Sequence, residues 1–192
     1  KPTDTMVTAA GGLPGETIKN WRVKASNTFD CEFGFSCMGY EIAGAWGHAM
    51  AMNGDGVPIV LVGDGSYMMM NSELSTAVMM GISTTIIVTD NRGFGCINRL
   101  QKSTGSEPFN NLFKDSNHQK LPNIDYVLHA KSLGANEEKA NSIEELENLV
   151  QDSHANMQCL HLHKKYSRDS KKEGLYVNLE KIYTMEILHA LK

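Results

Sequence analysis

Two runs of consecutive apolar and β-branched residues, separated by a segment of helical spacing, constrain the fold of this chain most. Residues 57–62 (VPIVLV) and 82–89 (ISTTIIVT) are each long enough for one strand. Continuous rather than alternating apolarity is typical of strands that are buried on both faces of a parallel sheet. Between them, residues 66–80 carry apolar side chains at helical spacing, and Gly81 ends the predicted helix. The pattern predicts a βαβ unit with a right-handed crossover.

The remaining segments predict further elements around this unit. We expect strands over 5–9 and 157–163, helices from Leu13 and over 41–52, 124–133, 143–150 and 175–191, and loops over 31–39 and 101–123. A capping box of Ser142 and Glu145 opens the helix over 143–150. The alternation of strands and helices predicts an α/β domain.

Length and composition narrow the class of protein. The 192 residues fit one domain, and a net charge of −4 is too acidic for a protein held on nucleic acid by phosphate neutralisation. No apolar run approaches the roughly 20 residues of a membrane span, and we expect no signal peptide. Four cysteines without a C-x-x-C pair predict neither a disulfide scaffold nor a zinc site. We therefore expect a soluble domain of a reducing compartment, the cytoplasm. Because the chain opens with Lys1, we expect a processed start or a piece of a longer protein.

Polar residues follow both strands of the predicted βαβ unit. Residues 63–65 (GDG) follow the first strand, and residues 90–93 (DNRG) follow the second. Ligands of open α/β sheets bind at the carboxyl ends of strands, so these two segments converge on one crevice. Asp64 and Asn91 offer side-chain oxygens, and the backbone carbonyl of residue 92 or 93 offers a third. Mg²⁺ takes about six oxygens, so phosphate oxygens and a water would complete its shell.

Backbone groups of the same turn predict an anion site beside the metal. The N–H groups of Gly65 and Ser66, at the start of the following helix, point towards the phosphates of a ligand. Gly63 and Gly65 allow a sharp turn and a close approach of the backbone. Asp90 either orients the following asparagine or caps the turn.

Three alternatives bear on this interpretation. An Asp-Gly pair between apolar runs is also a hairpin signal, although the helical spacing after Gly65 argues against a hairpin. A plain βαβ unit with turn residues and no ligand would be the simplest interpretation if Asn91 were absent. Residues 54–56 repeat the Gly-Asp-Gly tripeptide, but they precede a strand and therefore belong at the opposite edge of a parallel sheet. We interpret residues 54–56 as a linker turn.

The two segments together resemble thiamine-diphosphate-dependent enzymes, which carry Gly-Asp-Gly and then Asn after a spacer such as residues 66–90. The resemblance implies a three-layer α/β/α fold with a mostly parallel central sheet, the thiamine-diphosphate-binding fold. It also implies that Asp64, Asn91 and the carbonyl of Gly93 hold Mg²⁺, which anchors the diphosphate, with Phe94 beside the cofactor. The amino-acid sequences of residues 34–44, 63–74 and 90–97 resemble those of one branch of the family. Its members hydrolyse a cyclic 1,2-dione, trihydroxycyclohexanedione, to 5-deoxyglucuronate in myo-inositol catabolism. The likeness is close over 5–115, loose over 124–163 and lost over 164–192.

The loop before the helix over 41–52 matches the loop that cradles the middle of the cofactor in this family. The resemblance implies that the backbone of Ser36 and Met38, with Cys37 between them, contacts the aminopyrimidine ring. It also makes Met38 the apolar wedge that bends the cofactor. The alternative for Met38 is a core methionine, since the chain has 11 methionines.

The family resemblance also implies that part of the machinery lies elsewhere. In the family, a glutamate of a separate pyrimidine-binding domain activates the cofactor. Glu41 and Glu73 cannot replace it, because both belong to the diphosphate-side domain; Glu73 is expected to face solvent or support its helix. We therefore expect residues 1–192 to form one diphosphate-binding domain of a longer, oligomeric enzyme, with no catalytic residue of its own and no turnover alone.

Several other residues were candidates for chemistry. Cys159, His161 and His163 share one face of a predicted strand, where a metal site or ordinary packing is possible. Cys37 and Cys96 lie near the proposed crevice, either as nucleophiles or as small packed residues.

The long polar loop over 101–123 is expected on the active-site side. It contains His118, which has no geometric ground for a catalytic role. Rival functions are a carboligase or 2-oxoacid decarboxylase of the acetolactate-synthase type and a non-catalytic phosphate- or nucleotide-binding module. The absence of a G-x-G-x-x-G motif after a strand counts against a dinucleotide site.

Overall fold

A computed structural model describes residues 1–152 and 158–163 of the chain. In chain order the elements are β1 (Thr5–Thr8), α1 (Leu13–Asn20), β2 (Phe29–Cys31), α2 (Tyr40–Met52), β3 (Pro58–Gly63), α3 (Asp64–Met70), α4 (Ser72–Met79), β4 (Thr85–Asp90), α5 (Gly95–Ser103), a 3₁₀ turn (Phe113–Asp115), α6 (Tyr126–Ser132), β5 (Asn136–Ala140), α7 (Ile143–Asp152) and β6 (Gln158–His163). The predicted helix over 175–191 lies outside the described residues.

The six strands form one sheet in the order β2-β1-β3-β4-β6-β5. Every neighbouring pair runs parallel. The chain moves outwards from β1 to β2 and then returns to place β3 on the other side of β1. This reversal is a topological switch point, where the carboxyl ends of β1 and β3 diverge into a crevice.

Side chains that alternate along β3 feed two separate cores. Val60 and Val62 pack on one face with residues of α2, α3, α4 and α6. Ile59 and Leu61 pack on the other face, where α7 contributes Leu146 and α1 lies at the periphery. Because both faces of the central strands are covered, these strands are apolar throughout. The predicted three-layer α/β/α fold is confirmed.

The predicted βαβ unit is confirmed, and its helix differs from the prediction in one respect. Strands β3 and β4 pair in parallel, but the connection consists of two helices that meet at Asn71. The Asn71 side chain donates to the carbonyl of Met68 at 2.9 Å, a local bond of the kind by which asparagine competes with helix continuation. At the far end, Gly81 adopts φ +65° and closes α4 with the paired backbone bonds of a Schellman motif. The asparagine break was not visible in the apolar spacing.

Three elements were not predicted. Strand β2 has three residues at one edge of the sheet, and strand β5 (NEEKA) is largely charged at the other edge. An edge strand needs few apolar residues, so neither segment has a strong strand pattern. Helix α5 extends to Ser103, which shortens the irregular part of the predicted loop to residues 104–123 around the 3₁₀ turn.

The start of α7 shows the predicted cap with a shifted partner. The Glu145 N–H donates to the Ser142 hydroxyl at 3.1 Å, as a capping box requires. The Glu145 carboxylate accepts the N–H of Asn141 at 2.6 Å instead of that of Ser142. In the described part of the chain, no helix combines the length and the apolarity that crossing a membrane requires.

Leu61→Ala is expected to lower the free energy of unfolding by about 2–5 kcal/mol, because Leu61 is fully buried in the core beneath α1 and α7. Leu128→Ala is the matched control: Leu128 is 62 % exposed on α6, and its loss should cost less than about 0.5 kcal/mol. Urea unfolding followed by circular dichroism measures both. Equal destabilisation by the two substitutions would contradict the assigned core.

Candidate functional site

The crevice at the switch point is built from four segments at the carboxyl edge of the sheet. They are the loop after β1, residues 32–39 between β2 and α2, the turn at which β3 passes directly into α3, and the loop after β4. Residues 63–65 and 90–93 therefore converge as the sequence predicted. The second Gly-Asp-Gly, residues 54–56, precedes β3 and lies at the opposite edge of the sheet. Its interpretation as a turn is confirmed by φ values of +85° and +100° at its two glycines.

Asp64 joins the loops that follow β3 and β4. Its buried carboxylate accepts the N–H of Asn91 at 3.3 Å and that of Gly93 at 2.8 Å, and it also interacts with the N–H of Gly65. Burial raises the pKa of Asp64 to about 7, and the negative charge of Asp90 adds to this, against the lowering effect of the three N–H groups. The hairpin alternative for this turn is wrong, because Asp64 begins α3 and β3 pairs with β4 in parallel.

Asn91 carries the most informative atom of the site. Its side-chain oxygen Oδ1 is buried and has no hydrogen-bond partner among the residues that the structure describes. A buried amide oxygen of this kind costs free energy unless something binds it, and exceptions in native structures mark functional positions or unseen ions and waters. The oxygen belongs to the loop that the Asp64 carboxylate holds in place.

The backbone after Asn91 is shaped by two residues with positive φ, Arg92 at +64° and Gly93 at +142°. The Arg92 N–H donates to the carboxylate of Asp90 at 2.9 Å, so Asp90 caps the turn, which was one of its two predicted roles. The Arg92 carbonyl accepts the N–H of Phe113 at 3.0 Å and is thereby directed to the long loop. The sequence left carbonyls 92 and 93 as alternatives for the metal, and this bond favours Gly93.

The two glycines of the first turn serve different purposes. A Cβ on Gly65 would lie 2.6 Å from the ring of Phe94 and 3.5 Å from the carbonyl oxygen of Gly93, so this glycine permits the close approach of the second loop. A Cβ on Gly63 would meet no heavy atom within 4 Å in the described part of the chain, and its φ of −77° suits any residue. The turn itself therefore does not require a glycine at position 63, and the predicted close approach of a ligand to Gly63 stays a prediction.

The loop over 36–39 is held from two sides. The Glu32 carboxylate accepts the N–H groups of Phe35 at 3.1 Å and Cys37 at 2.7 Å. Ser36, with φ of +52°, accepts the N–H of Gly11 at 3.3 Å through its hydroxyl. Met38 is half-buried and lies outside the two described core clusters. These contacts fix the backbone that the sequence assigned to the cofactor.

Glu41 is a functional candidate that the sequence analysis did not identify. Its carboxylate is fully buried and accepts hydrogen bonds from the N–H groups of Ala10 and Gly39 and from the hydroxyl of Ser66. These donors come from the loop after β1, from residues 32–39 and from the first turn of α3. A glutamate in the first turn of a glycine-capped helix was visible in the sequence, but its partners, 25 and 31 residues away, were not. Glu73, in contrast, accepts the indole N–H of Trp46 at 3.1 Å and joins α4 to α2, which agrees with the helix-supporting role expected for it.

The structure does not support a chemical role for the cysteine and histidine candidates. Cys37 is exposed, and partial desolvation together with the neighbouring Glu32 carboxylate raises the pKa of its thiol, which disfavours a nucleophile. Cys96 is half-buried. His118 is exposed in the long loop. Strand β6, which carries Cys159, His161 and His163, is confirmed, but the side chains of these three residues lie outside the described part of the structure.

The residues present fit a divalent cation with oxygen ligands. The partnerless oxygen of Asn91, the buried carboxylate of Asp64 and the carbonyl of Gly93 belong to loops that hydrogen bonds hold together. Burial and the charges of Asp64 and Asp90 also raise the pKa of Tyr126 in the core below. A cation would compensate this concentrated negative charge and would supply the missing partner of Asn91.

Comparison with known proteins identifies relatives of this arrangement. Residues 9–162 match the family model described as "Thiamine pyrophosphate enzyme, C-terminal TPP binding domain". A 3D-(3,5/4)-trihydroxycyclohexane-1,2-dione hydrolase of Listeria innocua serovar 6a is 43% identical over 152 residues, which are 79% of this chain and 24% of that protein. The enzyme of the same name from Listeria monocytogenes serotype 4b is 37% identical over 186 residues, or 97% of this chain and 29% of that protein. The chain therefore spans about a quarter of the length of these curated relatives.

Solved structures share the fold at low sequence identity. The thiamine diphosphate-dependent 4-hydroxybenzoylformate decarboxylase of Rhodococcus jostii RHA1 superposes with a TM-score of 0.70 at 18% identity, covering 86% of this chain and 30% of that one. Benzoylformate decarboxylase of Polynucleobacter necessarius gives the same TM-score and identity, with 84% and 29% covered. At this identity the likeness concerns the fold alone, and it agrees with the three-layer architecture.

Gly93→Ala is expected to lower the free energy of unfolding by about 1–3 kcal/mol, because the residue adopts φ +142° and an added Cβ would lie 2.4 Å from the carbonyl oxygen of Asn111. Gly63→Ala is the matched control from the facing loop and should change stability by less than about 0.5 kcal/mol. Thermal and urea unfolding without added ligands measure both. A Gly63→Ala protein as unstable as Gly93→Ala would contradict the assigned loop geometry.

Proposed function

Because the chain belongs to the thiamine pyrophosphate enzyme family, through the C-terminal TPP-binding domain, we propose that its switch-point crevice binds Mg²⁺ together with the diphosphate of thiamine diphosphate. The observation that carries this proposal is that the side-chain oxygen Oδ1 of Asn91 is buried without a hydrogen-bond partner among the described residues, while the Asp64 carboxylate accepts the N–H of the same residue. Asp64, Asn91 and the carbonyl of Gly93 would hold the metal.

The remaining residues of the site would bind the organic part of the cofactor. The N–H groups of Gly65 and Ser66 at the start of α3 are proposed to face the diphosphate, and the open space at Gly63 leaves room for its approach. Residues 36–38 would contact the aminopyrimidine ring, with Met38 supporting the bend between the rings. Phe94, which is 37% exposed next to Gly65, would border the cofactor.

The chain's own contribution to chemistry is to place and hold these groups. By accepting N–H groups from the loop after β4, the Asp64 carboxylate sets the position of Asn91 and of the Gly93 carbonyl before any ligand arrives. When bound, the cofactor supplies an electron sink for cleavage of a bond next to a carbonyl. We propose that its activating glutamate comes from a pyrimidine-binding domain of the same or another chain, within a homo-oligomer. The cytoplasmic location expected from the sequence stays a prediction.

For the reaction, we propose hydrolytic C–C cleavage of a cyclic 1,2-dione, trihydroxycyclohexanedione, to 5-deoxyglucuronate in inositol degradation. The support is the identity of 37–43% to relatives that carry the name of this hydrolase. The alternatives are an acetolactate-synthase-like carboligase or 2-oxoacid decarboxylase and, of another class, a non-catalytic phosphate- or nucleotide-binding module. Assays of binding and of turnover separate the three.

Asp64→Ala and Asn91→Ala are each expected to weaken Mg²⁺-dependent binding of thiamine diphosphate by about tenfold or more, because each removes an oxygen from the metal's shell. Isothermal titration calorimetry with the cofactor, with and without Mg²⁺, measures the change. Asp55→Ala is the control, since it alters the other Gly-Asp-Gly at the far edge of the sheet and should bind as wild type does. If Asp64→Ala and wild type respond alike, the metal assignment is wrong; if wild type binds no thiamine diphosphate, the non-catalytic module gains support.

Together with the proposed pyrimidine-binding domain, the chain is expected to open trihydroxycyclohexane-1,2-dione and to form no acetolactate from pyruvate, whereas residues 1–192 alone should turn over neither. The physical reason is that the activating glutamate is proposed to lie outside this domain. Product analysis by mass spectrometry distinguishes the reactions. Robust hydrolysis by the 192-residue chain would contradict the division of the site between domains, and acetolactate formation would favour the carboligase.

A further inference from the structure

We infer that Glu41 is a positioning residue of the cofactor site, which ties the loop over 36–39 to the Gly-Asp-Gly turn and to the end of β1. The inference rests on the proposed function, because those three segments are the ones assigned to the cofactor. Glu41 itself lies behind them with no exposed surface, so its action on a ligand is indirect.

The contacts of Glu41 use both carboxylate oxygens. Oε1 accepts the N–H of Ala10 at 3.2 Å, and Oε2 accepts the N–H of Gly39 at 3.0 Å and the hydroxyl of Ser66 at 2.8 Å. The Gly39 N–H also approaches the Ser66 oxygen at 2.7 Å, so these three residues form a closed triangle. A buried carboxylate with several donors of this kind is a fixed junction, because moving any one donor would leave a buried polar group unsatisfied.

A helix cap alone does not account for this arrangement. As a cap of α2, Glu41 would need only the N–H of Gly39, two residues away. The donors Ala10 and Ser66 are 31 and 25 residues away in the chain and belong to the loop after β1 and to the start of α3. They add no hydrogen bond to α2 and instead connect its first turn to the two strands that form the switch point.

The junction leads directly to the groups proposed to face the cofactor. Ser66 is two residues from Asp64 in α3, and Gly39 follows Met38 in the loop. Ala10 precedes Gly11, whose N–H donates to the Ser36 hydroxyl at the other end of the same loop. Glu41 therefore fixes the position of the loop relative to the metal-binding turn.

Glu41→Gln tests the role at constant side-chain size. An amide has one acceptor oxygen, so its NH₂ group must face one of two sets of donors. Facing the N–H of Ala10, it leaves that N–H without its acceptor. Facing the N–H of Gly39 and the hydroxyl of Ser66, it removes the acceptor of both and leaves only the bond between Gly39 and Ser66. We expect the dissociation constant for thiamine diphosphate with Mg²⁺ to rise about 10- to 100-fold, the range typical of residues that orient metal ligands. In the ligand-free protein, amide hydrogen exchange over residues 36–40 should become faster.

Glu73→Gln is the matched control, because the described hydrogen bond of Glu73 joins two helices through the indole N–H of Trp46. This bond involves none of the four segments that build the crevice. The substitution should leave both the dissociation constant and the exchange over 36–40 as in wild type. Both variants are compared with wild type, in the chain together with the proposed pyrimidine-binding domain, by calorimetric titration and by hydrogen exchange followed by mass spectrometry. Ser66→Ala provides a second variant that removes one bond of the triangle while it keeps the carboxylate and the backbone N–H.

The outcomes separate this inference from the proposed function. Binding by wild type with weak binding and fast loop exchange in Glu41→Gln, and a smaller change in the same direction in Ser66→Ala, supports the inference. Wild-type affinity in Glu41→Gln overturns it, even if the melting temperature falls, since a purely structural role would lower stability alone. If Glu41→Gln does not fold, wild-type affinity in Ser66→Ala overturns the inference. If wild type binds no thiamine diphosphate, the proposed function fails, whereas the exchange of residues 36–40 still reports on the junction.

Discussion

The parallel, in-register pairing of β3 and β4 is the constraint on which the site depends. Gly63 pairs opposite Thr89, so Asp64, the first residue after β3, lies level with Asp90, the last residue of β4. In this register the Asp64 carboxylate accepts the N–H groups of the loop after β4 at 3.3 and 2.8 Å. A slip by one residue would exchange the side chains of the strand between the two cores and would part the segments that follow the two strands. The apolar pattern that builds the core therefore also builds the crevice.

Two buried carboxylates, Asp64 and Glu41, organise the crevice in a similar manner. Each accepts hydrogen bonds from backbone groups of loops that are far apart in the chain, and this satisfies charges that would otherwise be costly to bury. At Asp64 the hydrogen bonds do not fully compensate, because burial and Asp90 still raise its pKa to about 7. A cation at this position would complete the compensation, and the partnerless oxygen of Asn91 is the atom that would share it. Among the described residues, no buried polar atom that lacks a hydrogen-bond partner belongs to a residue that is hydrogen-bonded to Glu41. This agrees with a role of Glu41 as an internal junction rather than as a metal ligand.

The sequence predicted those parts of the fold and site whose signal is local. Continuous apolar runs predicted β3 and β4, and the Gly-Asp-Gly and Asn segments at their ends predicted which loops converge. Signals that depend on tertiary contacts were missed. Strand β5 is held by its neighbour at the sheet edge despite its charged sequence, and the boundary between α3 and α4 falls at Asn71, inside a continuous helical pattern of apolar residues. The role of Glu41 depends on donors from distant segments, and the close packing of Gly65 against Phe94 depends on how the loop after β4 folds.

The long loop over residues 104–123 is hydrogen-bonded to the segment after β4, which carries Asn91 and Gly93. Phe94 donates its N–H to the carbonyl of Asn111, and Phe113 donates its N–H to the carbonyl of Arg92. The long loop therefore forms a short antiparallel bridge with the segment that carries the proposed metal ligands Asn91 and Gly93. The Arg92 guanidinium lies 5.4 Å from the ring centroid of Phe113 and donates to the carbonyl of Pro122 at 2.8 Å, which holds both ends of the 3₁₀ region. The backbone that bears the proposed metal ligands thus also sets where the loop lies. For this reason a change in the loop that alters substrate choice would have to preserve the bridge, or it would disturb the cofactor site as well.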